Sequence, residues 1–278
     1  TTRSRCRSTE PSDDGAVGWG EAFVLQTPLA PPALVEAVLA PALQGAELEA
    51  PEAMLAALRT YFIALGHGGG PAMEALSGVD IALWDLQARR AGQPLATLLG
   101  ATPGPVETYA SPIGFQPTPD DSAAAALSLR AEGFHALKIK VGRGVATDAA
   151  HVAAVRAAVG PEVTLMCDAN CGYAPDDAIA AAVQFAASGV AWLEEPIPPH
   201  DHAGMAAIRR AAPIPIAGGE NEFTVEACAR LVAADAVDIL QPNIARIGGV
   251  TGLLAVGALC ARHGIRMAPH GVGTSVGV

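Results

Sequence analysis

The fold is decided by the stretch that contains ALKIKVG (136–142), TLMCDAN (164–170) and VAWLEEP (190–196), three short apolar runs that each end in polar residues. The same pattern recurs along the rest of the chain, at VETYAS (106–111), IPIAGGE (214–220), VDILQPN (237–243) and RMAPHG (266–271). An Ala-rich helical stretch follows every run except the last. Seven repeats of strand then helix predict an α/β fold with a parallel sheet wound into a barrel. The nearly continuous apolar character is typical of strands that are buried on both faces.

The first third of the chain has a different pattern. GAVGWGEAF (15–23) predicts a turn followed by a strand, and helices are predicted over 31–43, 51–65 and 77–91. The change of pattern near Val106 divides the chain into an N-terminal domain over 1–104 and a barrel domain over 105–278.

Composition limits the class of protein. The chain has 278 residues, of which 51% are hydrophobic and 16% charged, so it can bury a large core. The net charge of −11 argues against nucleic acids and anionic membranes as partners, although a local group of lysines and a metal can still bind an anionic substrate. Five cysteines without a CxxC pair predict free thiols and a cytoplasmic location. Neither a signal peptide nor a membrane-spanning stretch is evident.

Three carboxylates, Asp168, Glu194 and Glu220, end successive runs and are each separated from the next by 26 residues. One strand-helix unit of an eightfold barrel takes about 30 residues, so these side chains should converge at the carboxyl-terminal rim. Carboxylates this close need a cation, and an all-oxygen set favours Mg²⁺, or Mn²⁺, over Zn²⁺. Asn170 and Asn221 are interpreted as amides that orient these carboxylates. The alternative is that the carboxylates lie on the rim and pair with Lys or Arg.

Lys138 and Lys140 lie two residues apart on one predicted strand, so both side chains point to the same face, into the mouth of the barrel. Two neighbouring ammonium groups disfavour double protonation, which can make one lysine a base near neutral pH. His270 ends the seventh run and is predicted to face Lys140 across the mouth. The alternatives are a solvated strand face for the lysines and a structural role for the histidine.

These residues stand in motifs that resemble the mandelate racemase/muconate lactonizing branch of the enolase superfamily. The matching motifs run in order from residue 15 to the end: GAVGWGEA, SGVDIALWDLQARRAGQPLATLLG, ALKIKVG, DAN, WLEEP, GGEN, QPNIARIGGVTG and PHG. The resemblance implies a modified TIM barrel of the (β/α)₇β type with an N-terminal α+β capping domain.

The resemblance also implies roles for single residues. Asp168, Glu194 and Glu220 would be the Mg²⁺ ligands. Lys140 would be the base on one face of the substrate, and Lys138 would help to hold the substrate carboxylate. His270 would serve the opposite face.

The chain departs from the family pattern in two respects. Asn243 stands where the mandelate racemase type has Asp and the muconate lactonizing type has Lys. An Asn can orient the imidazole of His270 but does not stabilise its cation as a carboxylate does. The second departure is that an eighth strand, a return into the capping domain and a full N-terminal strand with its specificity loop are not evident. We expect another segment or a partner subunit to cover the resulting gap.

The predicted activity is metal-dependent removal of the proton α to a carboxylate through an enediolate, with dehydration of a sugar acid as the preferred reaction. The first alternative is racemisation or epimerisation of a 2-hydroxy acid or an amino-acid derivative. An alternative of another class is a barrel that binds acids or metal without turnover. The expected partners are a small carboxylate substrate and further copies of the chain in a homo-oligomer.

Overall fold

The computed structural model describes residues 15–24 and 27–271. These described residues form seven strands: β1 Ala110–Ile113, β2 Ala136–Lys140, β3 Thr164–Asp168, β4 Val190–Glu194, β5 Ile216–Gly218, β6 Ile239–Leu240 and β7 Arg266–Met267. They make one sheet in the order of the chain, and the pairs from β1 to β6 are parallel. The predicted α/β class and the predicted series of parallel strands are confirmed. β1 begins four residues later than the run that predicted it.

Helices precede the sheet and alternate with its strands. Before the sheet they are α1 Ala30–Leu34, a π-helical turn Val35–Leu39, α2 Ala40–Leu43, α3 Pro51–Ala64, α4 Pro71–Ala91 and α5 Leu95–Leu98. Within the sheet region they are α6 Pro119–Ala131, α7 Val145–Val159, α8 Pro175–Ala187, α9 His202–Ala211, α10 Val225–Ala233 and α11 Gly249–His263. Among the described residues, no helix combines the length and the apolar character needed to cross a membrane.

The chain divides into two compact units. The first takes the described residues up to Pro105 together with Glu220–Ala229 and the described residues from Gln241 onward. The second takes Val106–Gly219 and Arg230–Leu240. The predicted boundary after residue 104 lies beside Pro105, but two later segments also fall in the first unit. The division into a capping domain and a barrel domain therefore stays a prediction.

Helix α4 is the core of the first unit. Leu76 and Val79 on this helix pack with Leu39, Leu55 and Phe62 in one buried apolar cluster. The helix is six residues longer at its start than the apolar pattern predicted, because Pro71 occupies its first turn, where a missing N–H costs nothing. It stops at Gly92, whose φ of 64° is the left-handed conformation that favours glycine.

The strand predicted within 15–23 is wrong. The described residues 15–24 form no strand, and their backbone packs directly on α4 instead. A Cβ on Gly18 would overlap the carbonyl oxygen of Ala82, and one on Gly20 would overlap that of Gly78. The backbone N–H of Trp19 donates to Asp85 Oδ2 at 2.8 Å. Close contact with a helix therefore replaces the strand pairing that the pattern predicted.

The register of the second unit brings polar strand ends to one edge. Lys140 on β2 lies beside Asp168 on β3, and Asp168 lies beside Glu194 on β4. The preceding residues of these strands, such as Leu137 and Leu165, are fully buried. The carboxyl ends of parallel strands lie at the same edge of the sheet, so Lys140, Asp168 and Glu194 are neighbours there.

Candidate active site

The two lysines of β2 contact the carboxylates of the next two strands. Lys138 is 3% exposed, and its Nζ makes a short ion pair with Glu194 and lies 3.4 Å from Asp168 Oδ2. Lys140 Nζ lies 2.5 Å from Asp168 Oδ2 and also donates to Asn170 Oδ1. Five of the predicted site residues thus lie together within the second unit.

The electrostatics of Lys138 favour its charged form. Burial by itself lowers the pKa of Lys138, but the Glu194 and Asp168 carboxylates outweigh burial and hold this pKa above its ordinary value. A lysine that keeps its proton is suited to binding an anion and unsuited to accepting a proton. The mutual repulsion expected between the two ammonium groups is offset here because each of them faces a carboxylate.

Left-handed backbone marks the ends of β3 and β4. Asn170, Cys171 and Glu195 have φ values of 41°, 63° and 40°, which residues other than glycine adopt at a cost. The turn lets the N–H of Asn170 donate to Asp168 Oδ1 at 3.0 Å, which fixes that carboxylate. The N–H of Cys171 donates to the carbonyl of Glu195 at 2.7 Å and ties the two strand ends together. Cys171 and Glu195 were not among the predicted site residues.

Two aromatic side chains lie beside the ion pair of Lys138 and Glu194. Trp192 Nε1 donates to Glu194 Oε2 at 3.4 Å, and its ring meets that of Tyr109 edge-on at 5.7 Å. The Nζ of Lys138 lies 5.5 Å from the centre of the Tyr109 ring. Each ring therefore lies against one member of the buried ion pair, Tyr109 against Lys138 and Trp192 against Glu194. Trp192 stands two residues before Glu194, so the strand period was the signal that placed both on one face.

Asp148 fixes the loop that follows the lysine strand. It is fully buried, and its Oδ2 accepts from the backbone N–H groups of Gly142, Arg143 and Gly144 at 2.9–3.0 Å and from the hydroxyl of Tyr173 at 2.6 Å. Asp148 was not among the predicted site residues, and its place in the first turn of α7 was the available signal.

A second group of predicted residues lies within the first unit. The main chains of Asn243 and His270 form a parallel bridge, and His270 Nε2 lies 3.2 Å from Glu220 Oε2. Asn243 Oδ1 accepts from the N–H of Ala245 at 2.9 Å, so its amide nitrogen faces His270 Nδ1 at 3.1 Å. An amide nitrogen only donates, so Nδ1 accepts and the neutral ring carries its proton on Nε2. Asn221, predicted to orient Glu220, accepts from Arg246 Nη1 at 2.6 Å.

Asp168 and Glu194 are the described side chains best placed to bind a metal ion within the second unit. Within the described part of the chain, no three His, Cys, Asp or Glu side chains are grouped as a metal site. Asp168 and Glu194 are 1% and 0% exposed, lie in register and already share one positive charge, the ammonium of Lys138. Two buried carboxylates of adjacent strands supply the hard oxygen ligands that Mg²⁺ prefers, so these two residues fit the ion. Glu220 belongs to the other unit, and its share in a metal site stays a prediction.

Two family models together match most of the chain. The model of the enolase C-terminal domain-like family matches residues 121–278. The model of the mandelate racemase/muconate lactonizing enzyme N-terminal domain matches residues 10–100. The chain belongs to the mandelate racemase/muconate lactonizing enzyme family of the enolase superfamily, as its motifs predicted.

Similar proteins include a cycloisomerase, a dehydratase and an epimerase. The chain is 39% identical over 268 residues to D-galactarolactone cycloisomerase of Agrobacterium fabrum, covering 95% of this chain and 70% of that protein. It is 38% identical to L-talarate/galactarate dehydratase of Salmonella typhimurium, covering 72% of this chain and 51% of that protein. It is 32% identical to L-Ala-D/L-Glu epimerase of Bacillus subtilis, covering 91% of this chain and 69% of that protein. The chain thus spans between half and about 70% of the length of these three enzymes.

Solved structures agree in fold. The 3,6-anhydro-D-galactonate cycloisomerase of Zobellia galactanivorans superposes with a TM-score of 0.89 at 32% identity, covering 96% of this chain and 74% of that one. A racemase of Streptomyces coelicolor with bound magnesium superposes with a TM-score of 0.88 at 36% identity, covering 94% and 78%. The predicted fold class and the prediction of an enzyme of this superfamily are confirmed.

Proposed function

We propose that the chain removes the proton α to the carboxylate of a sugar acid and that loss of a β-hydroxyl follows, so that the overall reaction is dehydration. The observation that carries this proposal is the lysine pair of β2 held against Asp168 and Glu194. The dehydratase and cycloisomerase activities of the relatives support the same class of substrate.

The two lysines take different roles. Lys138 is buried and keeps its charge, so it binds one oxygen of the substrate carboxylate. The side chain of Lys140 is 22% exposed, so it can reach a substrate and later return its proton to water. We assign Lys140 as the base that accepts the α proton. Asp148 and Tyr173 hold the loop that follows both lysines.

We propose that Asp168 and Glu194, with Glu220 as the third ligand, hold Mg²⁺, as the resemblance implies. When bound, the ion would supply positive charge that stabilises the negative charge left on the substrate carboxylate as the α proton departs. Asn170 keeps Asp168 oriented through its backbone N–H. The Tyr109 and Trp192 rings keep water away, which strengthens every electrostatic contact in the group.

His270 is assigned to the departing hydroxyl. Its neutral ring carries the proton on Nε2 because Asn243 donates to Nδ1. A ring in this state can pass its Nε2 proton to the departing hydroxyl, which then leaves as water, and can recover a proton from solvent. Its protonated Nε2 does not take a proton from carbon, which favours dehydration over racemisation. The second candidate, racemisation or epimerisation, is supported by the epimerase relative and the racemase structure. It requires His270 to exchange a proton with carbon.

Proton exchange tests the proposal. The full-length protein with Mg²⁺ would be incubated in D₂O with a panel of aldonic and aldaric acids, and proton NMR would follow loss of the α signal and appearance of the 2-keto product. We expect α-proton loss and product formation in step for at least one acid. Exchange with inversion and no product would support the second candidate, and absence of exchange with any acid would refute both.

Two further proposals concern the whole protein. We propose a homo-oligomer, supported by the exposed apolar residues Tyr61, Ile63 and Leu65 at the end of α3. Light scattering after size exclusion would test it, and a monomer at all concentrations would refute it. We also propose a cytoplasmic location, which the free thiols of Cys167 and Cys260 support.

A further inference from the structure

One arginine of the first unit, Arg246, joins parts of the chain that are far apart in sequence. It stands three residues after Asn243, in the loop between β6 and α11. Its guanidinium carbon lies 3.7 Å from the centre of the Phe23 ring and 5.3 Å from that of Phe223. The backbone N–H of Phe23 donates to the carbonyl of Ala245 at 3.3 Å, which holds the first ring in place.

The polar contacts of Arg246 reach the loop that carries Glu220. Its Nη1 donates to Asn221 Oδ1 at 2.6 Å and to the carbonyl of Glu220 at 3.4 Å. Its Nε donates to Glu74 Oε1 at 3.2 Å, and the side chains of Arg246 and Glu74 are only 14% and 6% exposed. One planar group is thus fixed on its face by an aromatic ring and on its edges by three oxygens.

We propose that Arg246 is a positioning residue that sets the place of Glu220, the third metal ligand in the function proposed above, on which this inference rests. Arg246 holds the main chain of Glu220 directly and the neighbouring residue through Asn221. Phe23 and Glu74 hold the guanidinium itself. The position of the ligand is therefore set by two segments of the N-terminal part of the chain.

Only an arginine can make these contacts together. The guanidinium presents several donors in a fixed plane and stacks on aromatic faces, whereas a lysine ammonium is a single point charge. Arg246→Lys keeps the charge beside Glu74 but loses the planar set of N–H donors and the stacking on the Phe23 ring. We therefore expect the dissociation constant for Mn²⁺, used as the probe ion, to rise about 10–100-fold, as is usual when a partner of a metal ligand is removed.

A role limited to stability would behave differently. Arg156→Lys is the matched control, because Arg156 is also partly buried and donates to the main-chain carbonyls of Ser188, Gly160 and Val163, away from Glu220. We expect this control to lower the melting temperature of the metal-free protein and to leave the Mn²⁺ dissociation constant unchanged. A second variant, Arg246→Met with Glu74→Gln, removes the buried charge pair as a whole and should fold while still binding Mn²⁺ weakly.

The experiment is a Mn²⁺ titration of the full-length protein followed by electron paramagnetic resonance, with thermal melts of the metal-free proteins. If Arg246→Lys does not fold, Asn221→Ala tests the same contact, and we expect weaker Mn²⁺ binding with an unchanged melting temperature. Wild-type affinity in these variants would overturn the inference and leave the proposed function standing. A wild-type protein that binds no Mn²⁺ would overturn both.

Discussion

Replacement of Asp80 by Asn should stabilise the protein at neutral pH. Asp80 lies on α4, is 1% exposed, and its Oδ1 accepts from the backbone N–H of Thr251 at 3.1 Å, at the start of α11. Burial raises the pKa of Asp80 from 3.8 to about 6, although the hydrogen bonds from Thr251 act in the opposite direction. Folding therefore favours the protonated carboxyl.

The sign of the pH dependence follows from this direction. The stability that Asp80 contributes is fully present below a pH of about 3.8, its unfolded pKa, and is lost as the pH rises through its folded pKa of about 6. The difference between the two pKa values corresponds to about 3 kcal/mol at pH 7.5, where the buried carboxylate is charged. Asp80→Asn removes that cost and keeps an oxygen that can accept from Thr251.

Thermal melts of wild type and Asp80→Asn between pH 4.5 and 8 would measure the effect. One kcal/mol moves the melting temperature of a domain of 150–250 residues by about 2–4 °C, so the variant should gain several degrees at pH 7.5 and almost nothing at pH 4.5. Asp176→Asn is the control, because Asp176 is an exposed carboxylate in the first turn of α8. Loss of its charge should slightly lower the melting temperature at pH 7.5. A variant destabilised equally at both pH values would refute the reasoning.

The remaining predictions concern the site and the packing of α11. Lys140→Ala should reduce α-proton exchange in D₂O by about 10²–10⁴-fold, and exchange at the wild-type rate would exclude Lys140 as the base. His270→Asn should leave exchange measurable by NMR but stop release of the keto product. Asn243→Asp should move the ring proton of His270 to Nδ1 and make Nε2 a base, seen as deuterium entering from the opposite face of the substrate. Ser77→Ala should cost about 1–3 kcal/mol in urea unfolding, because the buried Gly248 N–H, 2.8 Å from the Ser77 hydroxyl, loses its acceptor.

The barrel strands could be predicted because their signals are local. Polar residues lie at or near the carboxyl-terminal ends of the apolar runs, and the spacing of 26 residues between carboxylates repeats the length of one strand-helix unit. The register of Asp168 beside Glu194 follows from that repeat. The segment 15–24 could not be predicted in the same way, because Gly18 and Gly20 look like strand residues until α4 is placed against them.

The supporting residues of the site were missed for a related reason. Asp148 and Arg246 act through contacts with the backbone or with side chains that are distant in sequence, and Trp192 packs on the distant Tyr109 ring. A carboxylate in the first turn of a helix or an arginine in a loop has the same appearance whether it faces water or fixes a neighbour. The residue type and the sequence period predict on which face of a helix or strand a side chain lies. Its hydrogen-bond partners depend on the elements that pack against it.

The different roles that we propose for the two β2 lysines rest on their depth along one strand. Both side chains point to the same face of the sheet, but Lys138 lies two residues before the strand end. It is 3% exposed and forms ion pairs with both Asp168 and Glu194. A cation in that position cannot release its proton cheaply, so it is suited to holding an anionic substrate. The Lys140 side chain is 22% exposed and lies at the strand end, where a proton taken from carbon can be returned to water after each turnover. A base that is used repeatedly needs that access, and for this reason we assign the base to the outer lysine.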